Sequence, residues 1–138
     1  MQIPNDILLP EFAKLIAEGK QVQFTPSGVS MRPFIEGNHD SVTLAHPDAL
    51  TKGDIVLAKV GARFVLHRII HIQDNHIILQ GDGNLQGEEH CTTNDVIGKV
   101  IAITDPQGKT KPITNGQLWY KLKPIRRILL KIYRHVCI

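Results

Sequence analysis

A chain of 138 residues, 42% hydrophobic and 21% charged, is long enough to bury one ordinary core and too apolar to be disordered. Aromatic residues make up only 5%, which disfavours a surface built to stack bases or sugars. Two cysteines, Cys91 and Cys137, are too few for a disulfide framework and read as reduced thiols of a cytosolic protein. The net charge of +3 is uneven. Six basic residues and no acid follow Gln117, whereas residues 1–116 carry ten Lys and Arg against thirteen Asp and Glu.

The chain opens with a helix expected within residues 1–20. Asn5 or Asp6 caps it, Ile7, Leu8, Phe12, Leu15 and Ile16 share a face, and Gly19 is its stop. Asp6, Glu11, Lys14, Glu18 and Lys20 are scattered through it, unlike the charged-then-apolar layout of a secretion signal. No stretch reaches the roughly 18 apolar residues of a membrane span, so the expectation is a soluble chain without a transmembrane anchor.

From residue 21 to 104 the texture is that of short strands. Gln21–Thr25, Ser41–Ala45, Asp54–Val60, Arg63–Ile72, His76–Gln80 and Val96–Thr104 are rich in β-branched residues. Turn chemistry separates them, as in Lys52-Gly53-Asp54, Asp74-Asn75 and Asp105-Pro106-Gln107-Gly108. The expected fold is mainly β, a coiled sheet or barrel-like body. A basic amphipathic helix is expected over 117–137, with Trp119, Leu122, Ile125, Ile128, Leu129, Ile132 and Val136 near one stripe and Pro124 starting or kinking it. One domain with a helical appendage results.

A serine hydroxyl needs a base beside it and donors for the oxyanion before it can attack a carbonyl, which favours a tight glycine-containing loop. Ser27-Gly28-Val29-Ser30-Met31-Arg32-Pro33 offers that setting, although Ser-Gly-x-Ser is also common loop chemistry. Three further motifs follow in order: Lys52-Gly53-Asp54-Ile55-Val56, Leu66-His67-Arg68-Ile69-Ile70 and Gln80-Gly81-Asp82-Gly83-Asn84. Together, from about Ser27 to Val100, they resemble the ordered motifs of the signal peptidase I and LexA-like serine peptidases.

The resemblance implies a signal-peptidase or LexA-type body and makes Ser30, before Met31, the nucleophile. Where bacterial signal peptidases and LexA-like proteins carry a lysine base, this chain reads His67-Arg68, as in the endoplasmic-reticulum and sporulation types. His67 is then the general base, and an imidazole suits that task near neutral pH. The third group is left between Asp82, which matches the motif aspartate, and Glu88, which an ungapped count places where the histidine branch has a downstream aspartate. Gly28 stands where some relatives have an oxyanion serine. The oxyanion and substrate contacts are therefore assigned to Ser27, Gly28 and Met31 around the Ser30 N–H.

Plainer readings compete at each position. A strand histidine is most often structural, and only the motif series raises His67 above that. Lys59 and Arg63 lie close enough to be lysine-type bases in other contexts but lack the motif. His67 and His71 are four apart, and on a strand that spacing of about 13 Å is too wide for one ion, so no metal and no cofactor is expected. The basic tail either packs on the body, pairs with a second copy, or lies on an anionic membrane surface, with nucleic acid the least expected partner. The expected activity is a serine endopeptidase that trims a leader or propeptide, located in the cytoplasm or peripherally at the inner face of the membrane. Two alternatives stand beside it. One is a LexA-like self-cleaving regulator, against which neither an Ala-Gly nor a Cys-Gly dipeptide occurs. The other is a non-catalytic peptide-binding adaptor on the same fold.

Overall fold

A computed structural model describes residues 5–28, 30–84, 87–114, 116 and 126–136, with the backbone alone for 5–9 and 134–136. The elements in chain order are α1 (Asn5–Ala17), β1 (Val22–Phe24), β2 (Ser41–Ala45), β3 (Ile55–Val60), β4 (Arg63–Gln73) and β5 (His76–Gln80). After them come β6 (Glu89–Thr92), a 3₁₀ turn (Thr93–Asp95), β7 (Val96–Thr104), β8 (Thr110–Lys111) and α2 (Arg126–Val136). The protein is mainly β, as its strand-length β-branched runs imply. The strands form one antiparallel sheet in the order β1-β2-β7-β3-β4-β5-β6, with β8 on β7, curled into a half-barrel.

Strand β3 is covered on both faces, with Ile55, Val56, Leu57 and Ala58 all buried. Alternate side chains leave a strand on opposite faces. Ile55 and Leu57 therefore join Val42, Leu44, Val100 and Ile103 in one cluster, while Val56 and Ala58 join Val65, Ile69, Ile77 and Leu79 in the other. A strand covered on both faces reads as a continuous apolar run, and each fully buried Ile, Leu or Val contributes about 1.5–3 kcal/mol. Helix α1 closes the first cluster. Its Ile16 is buried over Gly98, where a Cβ would stand 3.0 Å from Ile16 Cδ1, and Phe12 meets Phe24 with ring centroids 5.4 Å apart. Gly19, at φ +88°, ends the helix, and the N–H groups of Gly19 and Lys20 close on the carbonyls of Ile16 and Leu15.

Three strands, Ser41–Ala45, His76–Gln80 and Val96–Thr104, match the sequence expectation to the residue; β3 and β4 differ by one residue at one end and β1 by one residue at each end. Strands β6 and β8 were not expected. The C-terminal helix runs from Arg126 within the described residues, and Trp119, Tyr120, Leu122, Pro124 and Ile125 lie outside them. Among the described residues, no helix is long and apolar enough to cross a membrane.

Candidate active site

Ser30 sits in the long connection between β1 and β2, which folds back on itself. The Asn38 N–H donates to the Pro26 carbonyl at 2.7 Å. A Cβ at Gly37 would fall 1.8 Å from the Gly28 carbonyl oxygen, so only glycine lets the two limbs meet. Gly28 itself has φ +88°. Past Ser30, the Phe34 and Ile35 N–H groups both close on the Met31 carbonyl, and the Met31 side chain drops into the core. Ser27, Gly28, Ser30, Met31, Ile35 and Leu66 help line a narrow cleft of about 20 Å³.

Two contacts pin this loop to the turn after β5. The Ser30 carbonyl accepts the Gly83 N–H at 2.7 Å, and the Asp82 N–H points at the Met31 sulfur at 3.4 Å. His67 reaches the same place from β4. A Cβ built on Gly81 would lie 2.4 Å from the Ser30 carbonyl oxygen and 3.1 Å from His67 Cδ2. Glycine at 81 therefore lets the serine backbone and the histidine ring converge on one spot. Cδ2, the ring carbon bonded to Nε2, is the His67 atom nearest that spot.

The other ring nitrogen is occupied. His67 Nδ1 lies 2.5 Å from Glu89 Oε1, with both side chains largely covered, 8% and 13% exposed. A carboxylate only accepts, so Nδ1 carries the proton and Nε2 is left as the basic nitrogen. Neither acid singled out by motif counting holds this place. Cross-strand partners share a face, and Ile69, Leu79 and Glu89 form one such row. His67, two residues before Ile69, stands on the same face, whereas Glu88 falls out of the row and is exposed. The ungapped count reaches Glu88, and because the side-chain period of a strand is two, it is the next residue, Glu89, that shares the face of His67. A clue was present: Glu89 stands two residues before the apolar Cys91, which is buried.

Asp82 has a different position. Its two oxygens take Nε and Nη2 of Arg68, each at 2.8 Å, in a pair 0% and 1% exposed. Arg68 Nη1 donates to the carbonyls of Gly53 and Thr114, and its guanidinium lies 5.1 Å from the centre of the Phe34 ring. Gly116 comes so close that a Cβ there would sit 2.8 Å from Arg68 Nε. Arg68 thus ties together the turn at Gly53 before β3, the turn after β5, the segment after β8 and the Ser30 loop. Next to His67 in sequence, it fixes the frame in which His67 and Ser30 meet.

The far limb of the loop carries its own charges. Glu36 accepts Arg32 Nε and Nη2 at 2.8 and 2.7 Å, and the Arg32 hydrogen bond is the main cause holding its carboxyl below the usual range. Asp40 is fully buried. Burial pushes its carboxyl up, but the Glu36 N–H, Lys111 Nζ at 2.6 Å and His39 Nδ1 outweigh that and hold it below its ordinary value.

Among the described residues, no hydrogen bond joins the Ser30 hydroxyl to His67; the two are brought together through the Ser30 backbone and Gly81. Lys59 lies over the Phe64 ring, 5.9 Å from its centroid. No protein-family model matches the chain, and no curated protein matches it either. The geometry therefore carries the functional reading.

Proposed function

We propose that the chain is a serine endopeptidase similar to the Ser-His branch of the signal peptidases, with Ser30 as nucleophile, His67 as general base and Glu89 as the acid that orients the imidazole. The observation that carries this reading is the His67–Glu89 pair, whose imidazole meets the Ser30 carbonyl at Gly81. Nucleophile, base and orienting acid in that order are the working parts of acyl transfer.

In the reaction, Ser30 Oγ attacks a peptide carbonyl while His67 Nε2 takes the hydroxyl proton. The tetrahedral oxyanion is held by the Ser30 N–H, with the Ser27 hydroxyl beside it. Collapse expels the amine with the proton from His67 and leaves an acyl group on Ser30. Water, activated by the same imidazole, then hydrolyses the ester. Glu89 keeps the proton on Nδ1 throughout and offsets the charge of the imidazolium. The cleft beside Ser30, walled by Met31, Ile35 and Leu66, is narrow enough to favour a small side chain just before the cut. A leader or propeptide presented as an extended segment fits that shape.

The test is turnover of a peptide library with Ala, Gly or Ser before the cut by wild type, Ser30→Ala and His67→Ala. Cleavage by wild type alone supports the reading, and equal cleavage by all three, or none by wild type, removes it. A second reading is favoured by the missing hydrogen bond between the Ser30 hydroxyl and His67. In it the chain is an adaptor that binds the same peptides without cutting them. Apo sites often tighten only with substrate bound, which is why turnover decides between the two. Saturable peptide binding without cleavage, equal in wild type and Ser30→Ala, would establish the adaptor.

A further inference from the structure

Helix α2 packs on the Ser30 loop with only part of its apolar surface. The Tyr133 hydroxyl donates to Glu36 Oε2 at 3.3 Å, and the Arg32 guanidinium stands 5.8 Å from the centre of the Tyr133 ring. Arg126 is buried, and Leu129, Leu130 and Tyr133 are half-buried, so these residues mark the inner face at the helical period. Ile128 and Ile132, one turn apart, face the other way at 61% and 54% exposed, the most open large hydrophobic residues among those described. Arg127 and Lys131 are exposed alongside them. Residues 117–138 contain no acid, while acids outnumber bases in residues 1–116.

We propose that the outward face of α2 lies on an anionic lipid bilayer and holds the Ser30 loop at its surface. A helix at such an interface sinks an apolar ridge to the level where headgroups meet acyl chains and extends Lys and Arg to the phosphates beside it. Ile128 and Ile132 supply the ridge, and Arg127 and Lys131 the cations. Each cation near an anionic leaflet strengthens binding about fivefold. The body, with its excess of acid, is repelled by the same surface, so the contact is one-sided and orients the molecule. A twofold contact with a second copy would instead set this basic face against its own like charges. Because Tyr133 reaches Glu36 and Arg32, and Arg32 is two residues from Ser30, the docked helix places the cleft beside the bilayer. That the substrate is then a membrane-associated polypeptide rests on the peptidase reading; the contact itself does not.

The test is co-sedimentation of the full chain with phosphatidylcholine vesicles, with and without phosphatidylserine. Wild type and Ser30→Ala are expected to bind the anionic vesicles equally, and binding should weaken as salt is raised. Arg127→Gln with Lys131→Gln should lower binding about 25-fold. Ile128→Ser with Ile132→Ser should abolish it although all charges remain. All four side chains are exposed, so circular dichroism and thermal midpoint should match wild type in both variants. No binding to anionic vesicles, equal binding to neutral ones, or an unaffected charge variant would overturn the proposal. So would a stable dimer that dissociates when Ile128 and Ile132 are replaced. Vesicle binding by a chain that cleaves no peptide would leave the contact standing and remove only the substrate statement.

Discussion

Removing the Asp82 carboxylate is expected to destabilise the protein rather than to disarm it. Asp82 and Arg68 are 0% and 1% exposed, and the carboxylate takes two of the four hydrogen bonds that the guanidinium makes to Asp82, Gly53 and Thr114. In Asp82→Ala the guanidinium keeps its charge in a dry site with its counter-ion gone. Breaking a buried pair in this way costs about 3–5 kcal/mol. With a urea slope of about 2 kcal/mol/M, the unfolding midpoint should fall by about 1.5–2.5 M, read by circular dichroism or tryptophan fluorescence. The double variant Arg68→Met, Asp82→Leu removes both charges together and should recover most of the loss, since well-packed apolar replacements of buried pairs are often neutral or better. A loss under about 1 kcal/mol in Asp82→Ala would refute the structural role. Lost Ser30 reactivity at unchanged stability would instead place Asp82 in the chemistry.

Glu89→Gln should lower turnover about 10³- to 10⁴-fold at nearly unchanged stability, because the amide can hold the wrong imidazole tautomer, whereas Glu88→Gln should leave turnover within about twofold. A larger loss from Glu88→Gln than from Glu89→Gln would contradict the assignment. The Cys91 thiol, pushed up to about 11 by burial and then by Asp95 and Glu89, should resist iodoacetamide at pH 8 in a Cys137→Ser background and react only on unfolding. Rapid alkylation of the folded protein would show that Cys91 is open to solvent. Asp40, with its folded value lowered, adds stability above its ordinary 3.8, and this is lost as pH falls through the lowered value. Lys111→Met should therefore reduce the urea midpoint at pH 6 and shrink the further drop on acidification to pH 2. An identical acid limb in both proteins would show that the Lys111 contact is not what holds Asp40 down.

The parts of the fold legible in the sequence were those with strong local signals. Ser41–Ala45 and Val96–Thr104 end against turn residues, so pattern and punctuation agree. Glu89-His90-Cys91-Thr92 holds one apolar residue and pairs only as the edge strand beside β5, and Thr110–Lys111 is two residues long; neither has a pattern to read. Ser30 and His67 stand in separate ordered motifs, and the structure brings them near each other at Gly81. The contact of Glu89 with His67 was not legible, since the pairing of Leu79 with Glu89 depends on register, which no motif count contains. The Arg68–Asp82 pair shows the same limit from the other side: the motif aspartate reads as a catalytic candidate in the sequence, and only the structure sets it against Arg68 of β4. Likewise the stripe on the C-terminal helix gave its amphipathicity but not its docking. Tertiary contact turned Leu129, Leu130 and Tyr133 inward and left Ile128 and Ile132 outside.

If the His67–Glu89 pair makes Ser30 a nucleophile, peptide mapping by mass spectrometry after treatment with a serine-directed electrophile reads it out. One adduct is expected, on Ser30, formed at least about 100-fold more slowly in His67→Ala. Adducts spread over Ser27, Ser30 and Ser41, or equal labelling of Ser30 without His67, would contradict it.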